Sequence, residues 1–339
     1  MKKVFLMSIA AVAMLTGCSQ DEVVDMPRNT KAINFSNAFV DNATRSEVDP
    51  SFTTENLGSF AVYGFTQNGQ IFDGTKVSSN DNGVTWTYSP AQYWVEGNQY
   101  AFGAIAPADT PVRGEQLLGS GVADYKVGMT VSFTNTDGKT DLLYAAANNV
   151  NADEAFMANP EAVGLTFKHQ LSKVKFSFEN NVSQAYNIKV TDVKITNANS
   201  TGTLTIAADA DNEWSNVAGD ALELNFGAVG ASENTAYAIA YSDEGETYNE
   251  LLMIPSGAAD SYNVTFTVEL LNGEVSMNTY KHTATITGVE LKLGYCYDFK
   301  AVLNYATIDP DEDLKPIVFE VDSIEPWIDS EQNQDITLN

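Results

Sequence analysis

Cysteine, histidine and positive charge are scarce in this chain, and each shortage closes off a class of function. Only Cys18 and Cys296 are cysteines, so a disulfide framework is excluded and stability has to come from packing. The two histidines, His169 and His282, lie far apart in sequence, each inside an alternating, strand-like stretch. That setting points to structural roles. There is no Gly-rich phosphate loop, no nucleophile elbow and no paired-cysteine metal spacing, so neither a cofactor nor a resident metal is expected. The many carboxylates include no pair that sequence marks as glycosidic, and the chain does not read as an enzyme. Lys and Arg number 18 against 45 Asp and Glu, a formal charge of −27. A surface this acidic repels phosphate backbones, which removes nucleic acid as a partner. Long apolar runs are also missing: the stretch from Val4 to Leu15 falls short of the roughly 20 residues that span a bilayer as a helix.

That stretch suits a secretory leader, following Lys2-Lys3 and ending in Leu15-Thr16-Gly17-Cys18. The ending resembles the bacterial lipobox, in which the thiol of the last residue carries lipid. Residues 1–17 are therefore read as a signal peptide and Cys18 as the lipidation site. Loss of Lys2 and Lys3 with the leader takes the formal charge from −27 to −29. The following Ser19-Gln20-Asp21-Glu22 resembles the acidic tag that directs lipoproteins to the outer face of the outer membrane, and residues 19–31 read as a polar tether.

What the chain does contain, nearly throughout, is alternation with a period of two, the mark of half-buried strands. In KVKFSFEN, Val174, Phe176 and Phe178 share one face; in NVTFTVELLNGE, Val264, Phe266, Val268 and Leu270 do, before a turn at Asn272-Gly273. NIKVTDVKIT keeps Ile188 and Val190 in phase, then shifts by one to Val193 and Ile195, which predicts a bulge near Thr191-Asp192. GYCYDFKAVL alternates from Tyr295 to Leu303, and shorter runs occupy 60–65, 86–94, 100–105 and 317–321. Only NADEAFMANPEAVG offers a helical turn or two. Many short strands with polar turns imply an all-β chain of antiparallel sandwiches. Two fit the length, with a boundary near Ser172 inside LTFKHQLSKVKFSF, giving domains at 46–172 and 173–339.

Two further patterns compete with a plain structural reading. Asp309, Asp311, Asp313 and Glu320 stand at positions one, three, five and twelve of a calcium loop, but Leu314 replaces its glycine and Pro316 opposes the helix that should follow. A solvated connection is expected there. Trp86, Tyr93, Trp94 and Trp214 are candidates for stacking on sugars, the basis of an alternative reading as a monomeric surface lipoprotein that binds glycan or host protein.

The lipobox, INF followed by TRS, YWVEGNQYAFGAIAPA, LTFKHQLSKVKFSF, LLMIPS, GYCYDFKAVL and a terminal IVFEVDSIEPW together resemble the fimbrillins of the Bacteroidetes, the subunits of type V pili. The resemblance covers roughly residues 32–328. It implies two transthyretin-like β-sandwich domains in tandem, a surface lipoprotein anchored in the outer membrane through Cys18, and other pilus subunits as partners. It also implies that an Arg-specific surface protease cuts between Arg45 and Ser46, with Arg28 a second arginine whose cleavage would leave the first strand attached. The cut would remove a strand at 32–40 that inserts Ile33, Phe35 and Phe39 into a groove. A donated strand at about 317–327, presenting Ile317, Phe319 and Val321, would then fill the groove of a neighbouring subunit.

Overall fold

The computed structural model describes residues 31–40, 57–81, 83–115, 126–207, 211–309 and 315–327. The first half of the chain contributes β1 (Phe35–Val40), β2 (Ser59–Thr66), β3 (Gly69–Ser78), β4 (Gln99–Ala106), β5 (Val112–Glu115), β6 (Gly128–Thr134), β7 (Leu143–Asn151) and β8 (Val163–His169). A single turn of helix, α1 (Glu154–Ala158), precedes β8, and the Asp153 carboxylate caps it by accepting from the Phe156 N–H at 2.9 Å.

The second half contributes β9 (Ser172–Asn180), β10 (Asn187–Ala198), β11 (Thr201–Ile206), β12 (Glu213–Ala218) and β13 (Leu222–Gly227). Four short pieces follow: β14 (Gly230–Ser232), β15 (Thr235–Ala236), β16 (Glu244–Glu246) and β17 (Leu251–Met253). The long β18 (Asp260–Asn272) and β19 (Val275–Val289), then β20 (Tyr295–Leu303), the turn α2 (Tyr305–Ile308) and β21 (Phe319–Pro326) complete it. The fold is all-β, as the alternation implies.

Strand β9 has the predicted face: Val174, Phe176 and Phe178 are fully buried. The register between β10 and β18 slips between Thr191 and Lys194, and Asp192 sits at φ +53°, so the predicted bulge is present. The β18–β19 hairpin pairs Asn272 with Val275, which puts the turn at Gly273-Glu274, one residue later than expected. Gly273 there takes φ +61°, a conformation glycine reaches without steric cost.

Three cores organise these strands. In the second half the sheets β13-β10-β18-β19 and β16-β9-β20-β21 enclose a core that includes Val174, Phe176, Ile188, Val264 and Phe299. In the first half a six-stranded sheet runs β1-β8-β7-β4-β2-β3. Its β8 pairs β7 only at Lys168 and His169 and pairs β1 along the rest, so β1 and β8 fold over an aromatic core built on β2, β3 and β4. The opposite face of β2 and β4 packs on a sheet ordered β12-β11-β6-β5. Gly103 permits that approach, since a Cβ there would lie 2.7 Å from the Met129 methyl. Strands β11 and β12 lie beyond Ser172, yet β11 pairs with β6 from Thr201↔Thr134 to Ile206↔Met129, and β12 pairs with the other side of β11. The two halves therefore share this sheet, and the division near Ser172 is crossed by a returning hairpin.

Candidate functional site

The segment leading into β1 is held on two sides. On one, the Ile33 N–H donates to the Gln92 carbonyl at 2.8 Å and the Trp94 N–H to the Lys31 carbonyl at 2.9 Å. On the other, the Val163 N–H donates to the Asn34 carbonyl at 2.7 Å, and β1 continues parallel to β8. The Tyr88 hydroxyl adds a bond to the Ile33 carbonyl at 2.6 Å; burial pushes its phenol up, so it remains a donor. Ile33 and Phe35 are buried while Asn34 is exposed, the alternation expected of them. The Phe35 ring sits edge-on among Phe60, Phe72, Tyr88 and Phe102, with centroids 5.7–6.2 Å away. Further along, the register slips between Ser36 and Phe39, and Phe39 pairs with Thr166 and Val40 with Phe167.

The stretch 86–94, expected to be a strand, is a loop with isolated bridges Ser78↔Thr87 and Ala32↔Tyr93. Its side chains form one wall of the groove. Trp86 and Trp94 are buried against Phe60 and Tyr100 respectively, and Trp214 is buried with its Nε1 donating to the Gln170 carbonyl at 2.8 Å. Of the four rings considered for sugar stacking, only Tyr93 is exposed.

At the other end of the chain β21 is an edge strand, paired antiparallel to β20. Ile317 and Phe319 point into the core, and the Phe319 ring meets Phe176, Phe178 and Phe266 at 5.4–5.9 Å. Val321 pairs with Phe299 in the same register as Phe319, and the slip comes only after it, before Ser323; it is nevertheless 37% exposed, so burial of the alternating face ends at Phe319. Both chain ends thus insert one phenylalanine into an aromatic cage.

Cys18, Arg28, Arg45 and Ser46 lie outside the described residues, as do Asp311 and Asp313. Asp309 accepts from the Tyr280 hydroxyl at 3.3 Å, Glu320 is exposed on β21, and no metal-binding cluster occurs among the described residues.

The histidines occupy different settings. His282 lies beside Phe266, and burial lowers its pKa. His169 is paired through Nδ1 with the fully buried Asp141, whose other oxygen accepts from the Leu142 N–H at 2.7 Å. Trp327, just after β21, stacks on the His169 ring at 3.5 Å, and the Lys173 Nζ lies 4.4 Å from the indole centroid. Nothing in the sequence marks this group, because its members come together only through the tertiary fold.

A family model described as fimbrillin-like matches residues 44–327. No curated protein matches the chain at a significant level. Among solved structures, a fimbrial protein from Bacteroides vulgatus ATCC 8482 is similar, with a TM-score of 0.52 and 15% identity over 87% of this chain and 99% of that one. A candidate cell adhesion protein from Bacteroides ovatus ATCC 8483 gives a TM-score of 0.50 and 13% identity over 89% of this chain and 99% of its own. The tip fimbrial protein Mfa3 from Porphyromonas gingivalis, with a C-terminal truncation, gives a TM-score of 0.41 and 10% identity over 88% of this chain and 100% of its own.

Proposed function

The chain belongs to the fimbrillin-like family, and on that premise we propose that it is a structural subunit of a cell-surface pilus, assembled by protease-triggered strand exchange. The observation that carries the reading is the first strand. It is held by hydrogen bonds and by two inserted side chains, Ile33 and Phe35, in a groove made entirely of later segments. Its departure would leave an apolar slot beside the unpaired edge of β8, and an extended segment from another subunit satisfies both needs. The donor in this reading is β21 with the residues before it, and Ile317 and Phe319 carry groups of the size that Ile33 and Phe35 now supply. Cleavage between Arg45 and Ser46 frees the resident strand. While attached, that strand has an effective concentration of roughly millimolar or more, which keeps the precursor monomeric. The leader and Cys18 place the subunit on the outer membrane through a lipid. The second reading, a monomeric glycan-binding lipoprotein, loses most of its basis with the burial of Trp86, Trp94 and Trp214.

Arg45→Ala tests the assignment. The variant is expected to keep its β content and remain monomeric under an Arg-specific protease that polymerises the wild type. Polymer formed as readily as in the wild type, with no cut at Arg28, would show the cleavage site to be wrong.

A further inference from the structure

Strand β21 is pinned at two points that belong to different cores. Phe319 is inserted in the core of the second half. Trp327 belongs instead to the core shared with the first half, alongside Leu142, Leu171 and Leu252. Between these anchors the side chains are mostly exposed, Ile324 at 53%. The hold on Trp327 is specific. Its indole lies parallel to the His169 imidazole, within 10°, on a histidine that buried Asp141 fixes in place. The Trp327 backbone N–H donates to the Gly294 carbonyl at 2.6 Å, and the Gly294 N–H donates to the Leu171 carbonyl at 2.9 Å. This chain of bonds ties the end of β21 to the crossing point between the two halves.

We propose that the His169–Asp141 pair is a socket for Trp327 and that this contact is a latch, holding β21 on its own chain and restraining its donation. An edge strand with one inserted phenylalanine and a register slip behind it would open readily from its C-terminal side. Docking the indole at that end means that both anchors must be lost together before the strand can leave. Donation would also vacate part of the core between the halves, so release of the strand loosens the junction. The donation half of the proposal rests on the pilus reading; the latch itself does not.

The test uses the full, uncut precursor and follows hydrogen exchange of residues 319–326. Trp327→Ala is expected to speed their exchange roughly tenfold or more, with exchange in β2 and β4 unchanged. Trp327→Phe retains a ring for the histidine and should stay close to the wild type. Ile324→Ala, a truncation of a half-exposed side chain in the same strand, should change exchange by no more than roughly twofold. Wild-type exchange rates in Trp327→Ala, or acceleration spread evenly through β2 and β4, would overturn the latch. After Arg-specific cleavage, Trp327→Ala should also polymerise faster than the wild type. A loosened β21 with no polymer from either protein would uphold the latch and overturn the donation reading.

Discussion

Replacing Phe35 with alanine measures how much of the precursor's stability resides in its first strand. The ring is 5% exposed and touches four aromatic rings edge-on. Truncating a buried phenylalanine costs about 3–5 kcal/mol through lost transfer and the cavity left behind, and edge-on pairs each add about 0.5–1.5 kcal/mol beyond area. The strand lies at a sheet edge, where neighbours can relax into the space, so a loss of about 3–4 kcal/mol is expected. Against a total of about 5–15 kcal/mol for a domain, that is large. Urea unfolding followed by the fluorescence of Trp86 and Trp94, which share this core, reads it directly as a lower midpoint. The same loss has a second reading. Once the chain is cut after Arg45 the segment is held only by these contacts, and a loss of 3–4 kcal/mol weakens its retention roughly hundred- to thousand-fold. The cut variant should shed its segment on gel filtration under conditions where the cut wild type keeps it. A midpoint unchanged within about 0.5 kcal/mol would refute the view that Phe35 seals the groove.

Two further outcomes are expected. Replacing the partly exposed Val321 by Asp puts charge on the donor face without entering the core, and should strongly reduce oligomers after proteolysis while the precursor keeps its melting temperature; normal polymer on size exclusion would exclude this segment as the donor. Burial pushes the Glu250 carboxyl up more than the neighbouring Lys173 and Lys175 ammoniums pull it down, so ionising it costs more in the folded protein than in the unfolded chain. Stability from this group is therefore lost as pH rises from the ordinary glutamate value of about 4.3 through the raised one. Glu250→Gln should melt at or above the wild-type temperature at pH 7, with the difference vanishing near pH 4; a lower melting temperature at pH 7 would show that the Lys173 contact at 3.3 Å dominates.

What could be read from the sequence was local. The inward faces of β9 and β18, the bulge at Asp192 and the hairpin at Gly273 each follow from a two-residue period or a turn residue, and both are written in adjacent letters. Ile33 and Phe35 were legible for the same reason. The stretch 86–94 misleads because Trp86, Tyr88 and Trp94 are covered by packing on the aromatic rings of β1 to β4, not by a ladder, and Pro90, which has no N–H to donate, interrupts the run. Val321 keeps the register of Phe319 yet is only partly covered, because it sits on an edge strand just before a register slip, and no glycine announces that slip. The Asp141–His169–Trp327 group and the pairing of β11 with β6 depend on contacts between distant parts of the chain, which no local period encodes.

The returning β11–β12 hairpin sets an order of events during folding. The second sheet of the first half gains its inner pair only when residues 201–218 are present, and Trp214, which covers Phe133, is among the last of them. A nascent chain that stops short of Ala218 therefore carries β2, β4 and β6 with an apolar face still uncovered. Because such distant pairings form slowly, the first half has to wait for the start of the second, and a chain cut back to residues 1–172 would expose that face and tend to aggregate rather than fold as an independent unit.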